Sequence, residues 1–292
     1  MNANANARRA GLIQRLTLAP YSVWAVLFIV VPLFFVAYYA FTDNSFNFTF
    51  DNVARFFTAT SATDAGEVRT YIVIFLRSLK LAVISTLICL ILGYPMAYII
   101  ARAEARAQKI MITLIMIPMW MNFLIRTYAW MTILQDTGIL NGFLSALGLG
   151  RIHVIGTEAA VVIGMVYDYF PYMILPIYSI MAKMDTRLIE AARDLGCNSA
   201  GVLRRVIWPL SLPGVISGIT MVFMPSVTTF FIPRVLGGGN TMMFGDLIES
   251  KFLTEGNWNV GSALSLVMML LILISLSILR KADPKGEGGG MV

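Results

Sequence analysis

Two charged side chains stand out because each lies inside a long apolar stretch of the sequence. Arg126 is the only charged residue in 110–135, and Asp168 is the only one in 159–182. An arginine and a carboxylate can neutralise each other as an ion pair, and a carboxylate can also bind a cationic molecule. Because an uncompensated charge in apolar surroundings is costly, these two residues are candidates for an ion pair or for a binding site.

Other reactive residue types are scarce. The chain contains one histidine, His153, and two cysteines, Cys89 and Cys197. This set cannot supply a His-rich metal site or a zinc framework, and no internal disulfide is expected. The phosphate-binding sequence G-x-x-x-x-G-K-S/T does not occur, so any ATP hydrolysis belongs to another chain. We therefore expect no metal, cofactor or nucleic acid to be bound by this chain.

The composition identifies an integral membrane protein. Of the 292 residues, 58% are hydrophobic and only 13% are charged, and the mean hydropathy is +0.76. A soluble domain is about 25% charged. A water-soluble fold of this size could not cover its surface with so few charges. The composition thus excludes a soluble globular enzyme, a disordered chain and a collagen-like chain.

Six apolar stretches are long enough to cross a bilayer, for which about 20 residues are needed. They are residues 22–42, 81–101, 110–135, 159–182, 206–233 and 256–279. The first stretch exceeds the apolar core of a signal peptide, about 7–15 residues, so we expect an uncleaved span. The fifth contains three prolines, and we expect its first residues to lie at the membrane surface and the span itself to begin near Gly214.

The distribution of Lys and Arg predicts the orientation. If the N-terminus is cytoplasmic, the inner segments hold fourteen of these residues and the clearly outer segments hold five. Basic residues accumulate on the cytoplasmic side of membrane proteins. We therefore expect both termini in the cytoplasm, with spans that form an all-helical membrane protein.

The inner loop 183–209 is the most informative segment. Asp185 or Thr186 can cap a first helix, and Gly196 can adopt the positive φ that ends it. An apolar stripe follows helical spacing along this helix and comprises Leu188, Ala191, Ala192 and Leu195.

A second short helix follows in the same loop. Asn198 or Ser199 can cap it, it reaches Trp208, and Pro209 is expected to stop it. Two short helices hinged at a glycine form a compact knob, which we call the cytoplasmic knob (183–209). It is either an ordinary connection or a docking element for a partner.

The knob carries a sequence pattern that resembles a known family. Glu190-Ala191-Ala192, three residues, Gly196, nine residues and then Val206-Ile207-Trp208-Pro209 resemble the E-A-A-x3-G-x9-I-x-L-P signature of permease subunits in bacterial ABC importers. Val206 and Trp208 replace the Ile and Leu of the pattern. The spermidine/putrescine branch is the most similar, because it shares the runs 188–196, 124–130, 171–176 and 236–238.

The resemblance implies a type I ABC importer permease fold and the first of two permease subunits in a polyamine importer of the bacterial inner membrane. It implies a heterodimer with a sister permease, two cytoplasmic ATPase subunits that bind ATP-Mg, an extracytoplasmic solute-binding protein and surrounding lipid. The residues assigned to ATPase coupling are Glu190, Ala191, Ala192, Gly196 and Pro209. The implied layout is a cytoplasmic tail 1–20, a first span and outer loop 21–69, a permease core 70–279 with the coupling loop 183–209, and a tail 280–292.

A pathway for a polycation would need carboxylates or aromatic faces. The candidates in the spans are Asp168, Tyr167, Tyr172, Phe230 and Phe231. Aromatic packing between helices is the alternative interpretation of these rings. For Asp168 two interpretations stay open, an Arg126–Asp168 ion pair between neighbouring helices or a pathway carboxylate with Arg126 satisfied elsewhere. Arg234 would oppose a cationic solute unless Asp246 or Glu249 neutralises it.

Two other function classes were considered. A secondary transporter that works alone would show internal repeats and broken helices in matching halves, and would leave the knob unexplained. An intramembrane aspartyl protease would need two carboxylates that share a proton, for which Tyr167-Asp168 and Gly245-Asp246 are the only candidates. Asp246 is expected in an outer loop, which argues against the protease.

Overall fold

The computed structural model describes residues 19–63 and 66–282, and these residues are almost entirely helical. In chain order the elements are α1 (Ala19–Ala40), α2 (Asp51–Thr58), β1 (Thr60–Thr63), β2 (Gly66–Arg69), α3 (Thr70–Arg102), α4 (Ala105–Trp120), α5 (Phe123–Leu134), α6 (Ile139–Ala146), α7 (Glu158–Ala182), α8 (Thr186–Asp194), α9 (Ser199–Thr228), α10 (Phe231–Leu236), α11 (Phe244–Glu249) and α12 (Trp258–Ala282). Within the described residues, five helices are long and apolar enough to cross a membrane, and a bent pair raises this to six. The expected all-helical membrane fold is confirmed.

The described residues form two compact units. Unit 1 contains the described part of Met1–Ala59 together with Ser250–Met269. Unit 2 contains the described parts of Thr60–Glu249 and Leu270–Val292. The domain boundaries at 20, 69 and 279 stay predictions.

In unit 1, two buried amides complete the end of α1. The Asn52 side-chain amide donates to the carbonyls of Ala40 (3.3 Å) and Thr42 (2.7 Å). The Asn259 amide donates to the carbonyls of Tyr39 (3.2 Å) and Thr42 (2.5 Å). The last carbonyls of a helix have no partner inside the helix. These amides therefore supply donors that neither lipid nor the helix itself could provide.

The core of unit 2 lies between α3, α7 and α9, which pack against one another along the spans. Small residues allow the backbones to approach closely. A Cβ atom on Gly214 of α9 would lie 2.9 Å from the Pro176 carbonyl oxygen and 3.0 Å from the Ile177 Cα of α7. A Cβ on Gly218 would lie 2.8 Å from the Met173 Sδ. The α7–α9 interface therefore depends on glycine.

The third span departs from the sequence expectation. Residues 110–135 were expected to form one helix, but α4 ends at Trp120 and the chain resumes at Phe123 with a bend of 94°. Pro118 lies in the last turn of α4. The Asn122 side chain caps α5 by accepting a hydrogen bond from the Leu124 N–H (2.8 Å). A proline followed by a new N-cap breaks the span, although its hydropathy is continuous.

The fifth span also differs. Pro209 was expected to stop a short helix, but α9 runs without interruption from Ser199 to Thr228. The turn Leu203–Ile207 is π-helical, with the Trp208 N–H bonded to the Leu203 carbonyl. Pro209 has no N–H to offer the preceding turn, and the wider turn shifts the hydrogen bonding by one residue. Pro209 therefore lies in the first turn of the straight part of the helix, where proline is tolerated.

The same arrangement occurs in α1. The turn Val26–Val30 is π-helical, the Val31 N–H bonds to the Val26 carbonyl, and Pro32 follows. In both helices the proline comes two residues after the π-turn. This repetition supports the proline as the local cause of the widened turn.

The segment after the first span also contains more structure than expected. It was interpreted as an outer loop, but α2 and an antiparallel hairpin of β1 and β2 form there, with Thr60 opposite Arg69 and Thr63 opposite Gly66. The hairpin is a local addition to the otherwise helical chain.

We predict that Gly214→Ala destabilises the protein by about 1–3 kcal/mol, because the added methyl overlaps the backbone of α7. Thermal unfolding in detergent measures this effect. Gly142→Ala is the matched control, since a Cβ on Gly142 meets no atom within 4 Å. Equal stability of the two variants would contradict the packing of α7 against α9.

Candidate functional site

The first candidate site is built around Arg126 on α5. Its Nε contacts the Asp168 Oδ1 of α7, and the two side chains are only 9% and 2% exposed. Its Nη1 donates a hydrogen bond of 2.7 Å to the Pro118 carbonyl oxygen at the end of α4. The guanidinium carbon also lies 5.9 Å from the centroid of the Tyr167 ring. One side chain thus joins α4, α5 and α7.

This geometry follows from the bend in the third span. Ending α4 near Pro118 leaves carbonyls without helical partners, and an arginine has five N–H donors in one plane. Arg126 can therefore satisfy the backbone and neutralise Asp168 at the same time. The expectation that residues 110–135 form one span without a break was wrong. The structure nevertheless pairs the two residues, and a solute-binding role of Asp168 stays a prediction.

The aromatic pathway candidates separate into three places. The Tyr167 ring packs edge to face on Trp130, with centroids 5.1 Å apart. The Phe231 ring contacts Tyr128 (5.7 Å) and Phe123 (5.8 Å) between α5 and α10. Tyr172 and Phe230 are partly exposed, at 39% and 47%. The structure therefore does not gather the five candidates into one cluster.

Sequence patterns did not reveal an apolar cavity beside the Arg126 bridge. It has a volume of about 380 Å³ and lies between α3, α4, α5 and α7. Its walls include Leu92, Pro118, Trp130, Val166 and Phe170. Because these residues come from four helices, only the bend between α4 and α5 brings them together.

A second charged cluster links α10 to α11. The Arg234 Nε donates to the Asp246 Oδ1 (3.1 Å), its Nη1 donates to the Glu249 Oε1 (2.8 Å), and its Nη2 contacts the Glu249 Oε2. The hydrogen bond with Glu249 raises the pKa of Arg234. Burial raises the pKa of Asp246, and the Arg234 charge opposes this shift. Of the alternatives for Arg234, the structure shows pairing, and both Asp246 and Glu249 take part.

These two clusters exclude the aspartyl protease. Such an enzyme needs two carboxylates that share a proton. Asp168 instead faces Arg126, and Asp246 faces Arg234. Among the described residues, no group of three or more His, Cys, Asp or Glu side chains could hold a metal ion.

The third candidate is the cytoplasmic knob. Its first helix, α8, begins with Asp185 Oδ1 accepting from the Arg187 N–H (2.9 Å). It ends at Gly196, whose φ is +85°, with the Gly196 N–H bonded to the Arg193 carbonyl (2.8 Å). The Asn198 Oδ1 then accepts from the Gly201 N–H (2.8 Å) and starts α9. The expected caps and the glycine hinge are confirmed.

The apolar surface of the knob is exposed rather than packed. Ile189 turns toward the chain and is 7% exposed, whereas Leu188 is 48% and Leu195 is 87% exposed. Glu190 and Ala191 are also exposed, and Ala192 is partly buried. The apolar stripe predicted from the sequence is therefore not buried within the described residues. The exposed surface of the knob combines two leucines with charged side chains.

The knob continues directly into the membrane core. The Trp208 ring lies 5.0 Å from the Tyr94 ring of α3, and the Tyr94 hydroxyl is 3.0 Å from the Ser211 Oγ. Pro209 lies between these contacts on α9. A displacement of the knob would therefore be passed to both α9 and α3.

Comparison with known proteins shows the family. Residues 89–285 match the family described as "binding-protein-dependent transport system inner membrane component". The chain belongs to this family. It is an inner membrane permease component of an ABC importer, and since ATP hydrolysis is carried by separate subunits in this family, the permease itself is not an enzyme.

Individual relatives agree with this assignment. The permease is 35% identical to the spermidine/putrescine transport system permease protein PotB of Haemophilus influenzae, over 92% of this chain and 94% of PotB. It is also 35% identical to PotB of Escherichia coli K12, over 90% of this chain and 97% of PotB.

A solved structure confirms the fold. A bacterial alginate ABC transporter, in complex with a periplasmic protein bound to an alginate pentasaccharide, has a chain similar to this permease with a TM-score of 0.78 at 15% identity. The similarity covers 98% of both chains.

We predict that Arg126→Met destabilises the permease by about 3–5 kcal/mol, because it leaves Asp168 as an unpaired buried charge. The double variant Arg126→Met with Asp168→Leu should recover much of this loss. It should remain about 1–3 kcal/mol less stable than the wild type, since the Pro118 carbonyl still lacks its donor. Membrane abundance and thermal unfolding in detergent measure both effects.

Arg55→Met is the control, because Arg55 is exposed on α2. An Arg126→Met variant as stable as this control would show that the bridge does not hold α4, α5 and α7.

Proposed function

We propose that the permease forms half of the translocation pathway for a polyamine, such as spermidine or putrescine, or for a related small solute. The observation that carries the proposal is the 35% identity to PotB proteins named for spermidine and putrescine transport, over at least 90% of this chain. Transport follows ATP-driven alternating access. The alginate transporter shares the fold at 15% identity, so the fold alone does not select the solute.

The proposed partners are a sister permease, two cytoplasmic ATPase subunits that bind ATP-Mg, and an extracytoplasmic solute-binding protein. The similar alginate transporter was solved with its periplasmic protein, which supports the last of these. Large apolar surfaces also require cover from lipid or from a sister subunit. In α1, for example, only 6% of the most apolar window is buried. We propose that both termini lie in the cytoplasm.

The cytoplasmic knob is the proposed docking site for an ATPase subunit. Leu188, which is half exposed, lies on α8 with the carboxylate of Glu190, and Leu195, which directly follows α8, is almost fully exposed. Leucines of this kind can insert in an apolar groove, and the carboxylate can pair with a cation at its edge. The small side chains of Ala191 and Ala192 allow a partner to approach the helix backbone closely, and Gly196 provides the hinge.

Movement of the knob would reach the pathway through Pro209. The π-turn before this proline carries α9 without a break from the knob into the span, and the Trp208–Tyr94 contact extends the connection to α3. Because α3, α7 and α9 form one packed core, a shift at the knob would rearrange the spans together.

The pathway for a cation should depend on aromatic faces more than on Asp168. Arg126 already neutralises the Asp168 carboxylate. The partly exposed rings of Tyr172 and Phe230 can still offer their faces to an ammonium group, an interaction of about 0.5–2 kcal/mol each. Tyr167 and Phe231 are engaged with neighbouring rings and are proposed to shape the wall.

Uptake of labelled solutes tests the proposed substrate. Deletion of this gene should abolish uptake of radiolabelled putrescine or spermidine, and the wild-type gene should restore it. Unlabelled diamines should compete with the label, whereas 1,4-butanediol should not. Unchanged uptake of both polyamines in the deletion strain would overturn the polyamine assignment.

Replacement of the exposed leucine tests the docking site. We predict that Leu195→Asp reduces ATP-dependent uptake by about tenfold or more and weakens co-purification of the ATPase, because a charge replaces the apolar contact. Since the Leu195 side chain is 87% exposed in the described part of the chain, the abundance of the permease should not change. Glu190→Lys should act in the same direction.

Two controls carry the same chemical changes outside the knob. Leu149→Asp alters a leucine that is 56% exposed in the segment between α6 and α7, and Glu104→Lys alters an exposed acid before α4. Both controls should retain uptake. Normal uptake and co-purification of Leu195→Asp and Glu190→Lys would rule out the knob as the docking site.

A further inference from the structure

A second cavity lies entirely within unit 1. It has a volume of about 340 Å³ and occupies the space between the end of α1, the turn that follows it and the start of α12. Its walls are Tyr39, Asp43, Asn44, Phe46, Gly256, Trp258 and Asn259. Three aromatic rings, two amides and one carboxylate thus surround it.

Asp43 gives this cavity its charge, because it is the only charged residue among the seven described residues that line it. Its Oδ1 accepts hydrogen bonds from the backbone N–H groups of Ser45 (2.8 Å) and Asn47 (2.9 Å). These bonds, that from Asn47 first, lower the pKa of Asp43. A carboxylate can accept about four hydrogen bonds, so Asp43, which lines the cavity, keeps acceptor capacity for a ligand beside its bonds from Ser45 and Asn47.

The aromatic wall is held in an unusual backbone conformation. Phe46 has a φ of +61° and is the only non-glycine residue with positive φ among the described residues. A side chain with a Cβ atom is disfavoured in this region, and such strain is concentrated at functional sites. The Phe46 ring remains 65% exposed, so burial of the ring does not compensate for the strain.

The remaining walls are fixed in place. The Asn259 amide bonds the carbonyls of Tyr39 and Thr42, which joins the start of α12 to the end of α1. The Trp258 ring packs edge to face on Phe252 at 5.4 Å. The carboxyl end of α1 favours a cation and the amino end of α12 favours an anion, so the electrostatic effects of the two helix ends on a bound ion counteract each other. The charge preference of the cavity therefore comes from Asp43.

We propose that this cavity binds a primary ammonium group carried on an alkyl chain. The ammonium donates to the Asp43 carboxylate, and the alkyl chain lies against the rings of Phe46 and Trp258. Cations bind to aromatic faces, and an ammonium–carboxylate hydrogen bond is among the stronger ones. Two molecules carry this group, a free diamine and an aminophospholipid headgroup. The proposal does not depend on which solute the permease transports.

Isothermal titration of putrescine into the full-length permease, purified with its partner subunits, tests the proposal. Asp43→Asn should weaken binding at one site by about tenfold or more, because the charge is lost and the shape is kept. Asp51→Asn is the matched control, since Asp51 is an exposed acid of the same segment outside the cavity. The uncharged analogue 1,4-butanediol should not bind at this site. Unchanged affinity and stoichiometry in Asp43→Asn would overturn the proposal.

A second variant separates binding from folding. Phe46→Gly removes an aromatic wall and also relieves the positive φ, so thermal stability should stay equal or rise while putrescine binding weakens several-fold. A stable Phe46→Gly variant with wild-type binding would contradict the aromatic wall.

Nanodiscs distinguish the two sources of the ammonium group. If the headgroup occupies the cavity, phosphatidylethanolamine should weaken putrescine binding relative to phosphatidylglycerol in the wild type and not in Asp43→Asn. If a free amine is the ligand, the two lipids should give equal binding, and either result supports the ammonium chemistry. If Asp43→Asn loses putrescine binding at this site but keeps normal uptake, the cavity binds the ammonium group independently of transport.

Discussion

The hydrocarbon core of a membrane offers no hydrogen-bond partners, so every interruption of a helix must be completed by the chain itself. Arg126 meets this constraint where the third span breaks, because it bonds the Pro118 carbonyl and neutralises Asp168. Asn52 and Asn259 meet it at the end of α1. These polar residues therefore lie where backbone carbonyls lack a partner within their own helix. The apolar cavity beside Arg126 lies at the bend that Arg126 bridges.

The same constraint explains how a cytoplasmic surface can act on the membrane core. A proline removes one N–H from the helix, and the π-turn Leu203–Ile207 absorbs that loss without a break. The part of the knob that follows the Gly196 hinge thus forms one continuous helix with the span. Glycine contacts between α7 and α9 make the core close-packed, and close-packed helices transmit displacement rather than absorb it. We propose that a partner subunit binds the exposed leucines of the knob, Leu188 and Leu195.

The sequence predicted features that depend on composition or on neighbouring residues. The membrane class, the helix caps at Asp185 and Asn198, and the hinge at Gly196 belong to this group. It did not predict the bend after Trp120, because hydropathy is continuous there and Pro118 alone does not fix where a helix resumes. Pro209 was interpreted as a stop because the alternative, a π-turn, depends on packing along the whole of α9. The Asp43 cavity was also missed, since it joins segments that are more than 200 residues apart.

The central claim is that a separate ATP-hydrolysing subunit drives this permease through the cytoplasmic knob. Site-specific photo-crosslinking at position 195, in membranes that contain the assembled transporter, tests it directly. The account predicts an adduct between a photoreactive residue at position 195 and a chain that carries the phosphate-loop sequence missing here, and none from position 149. No such adduct at 195, or equal adducts at 195 and 149, would contradict it.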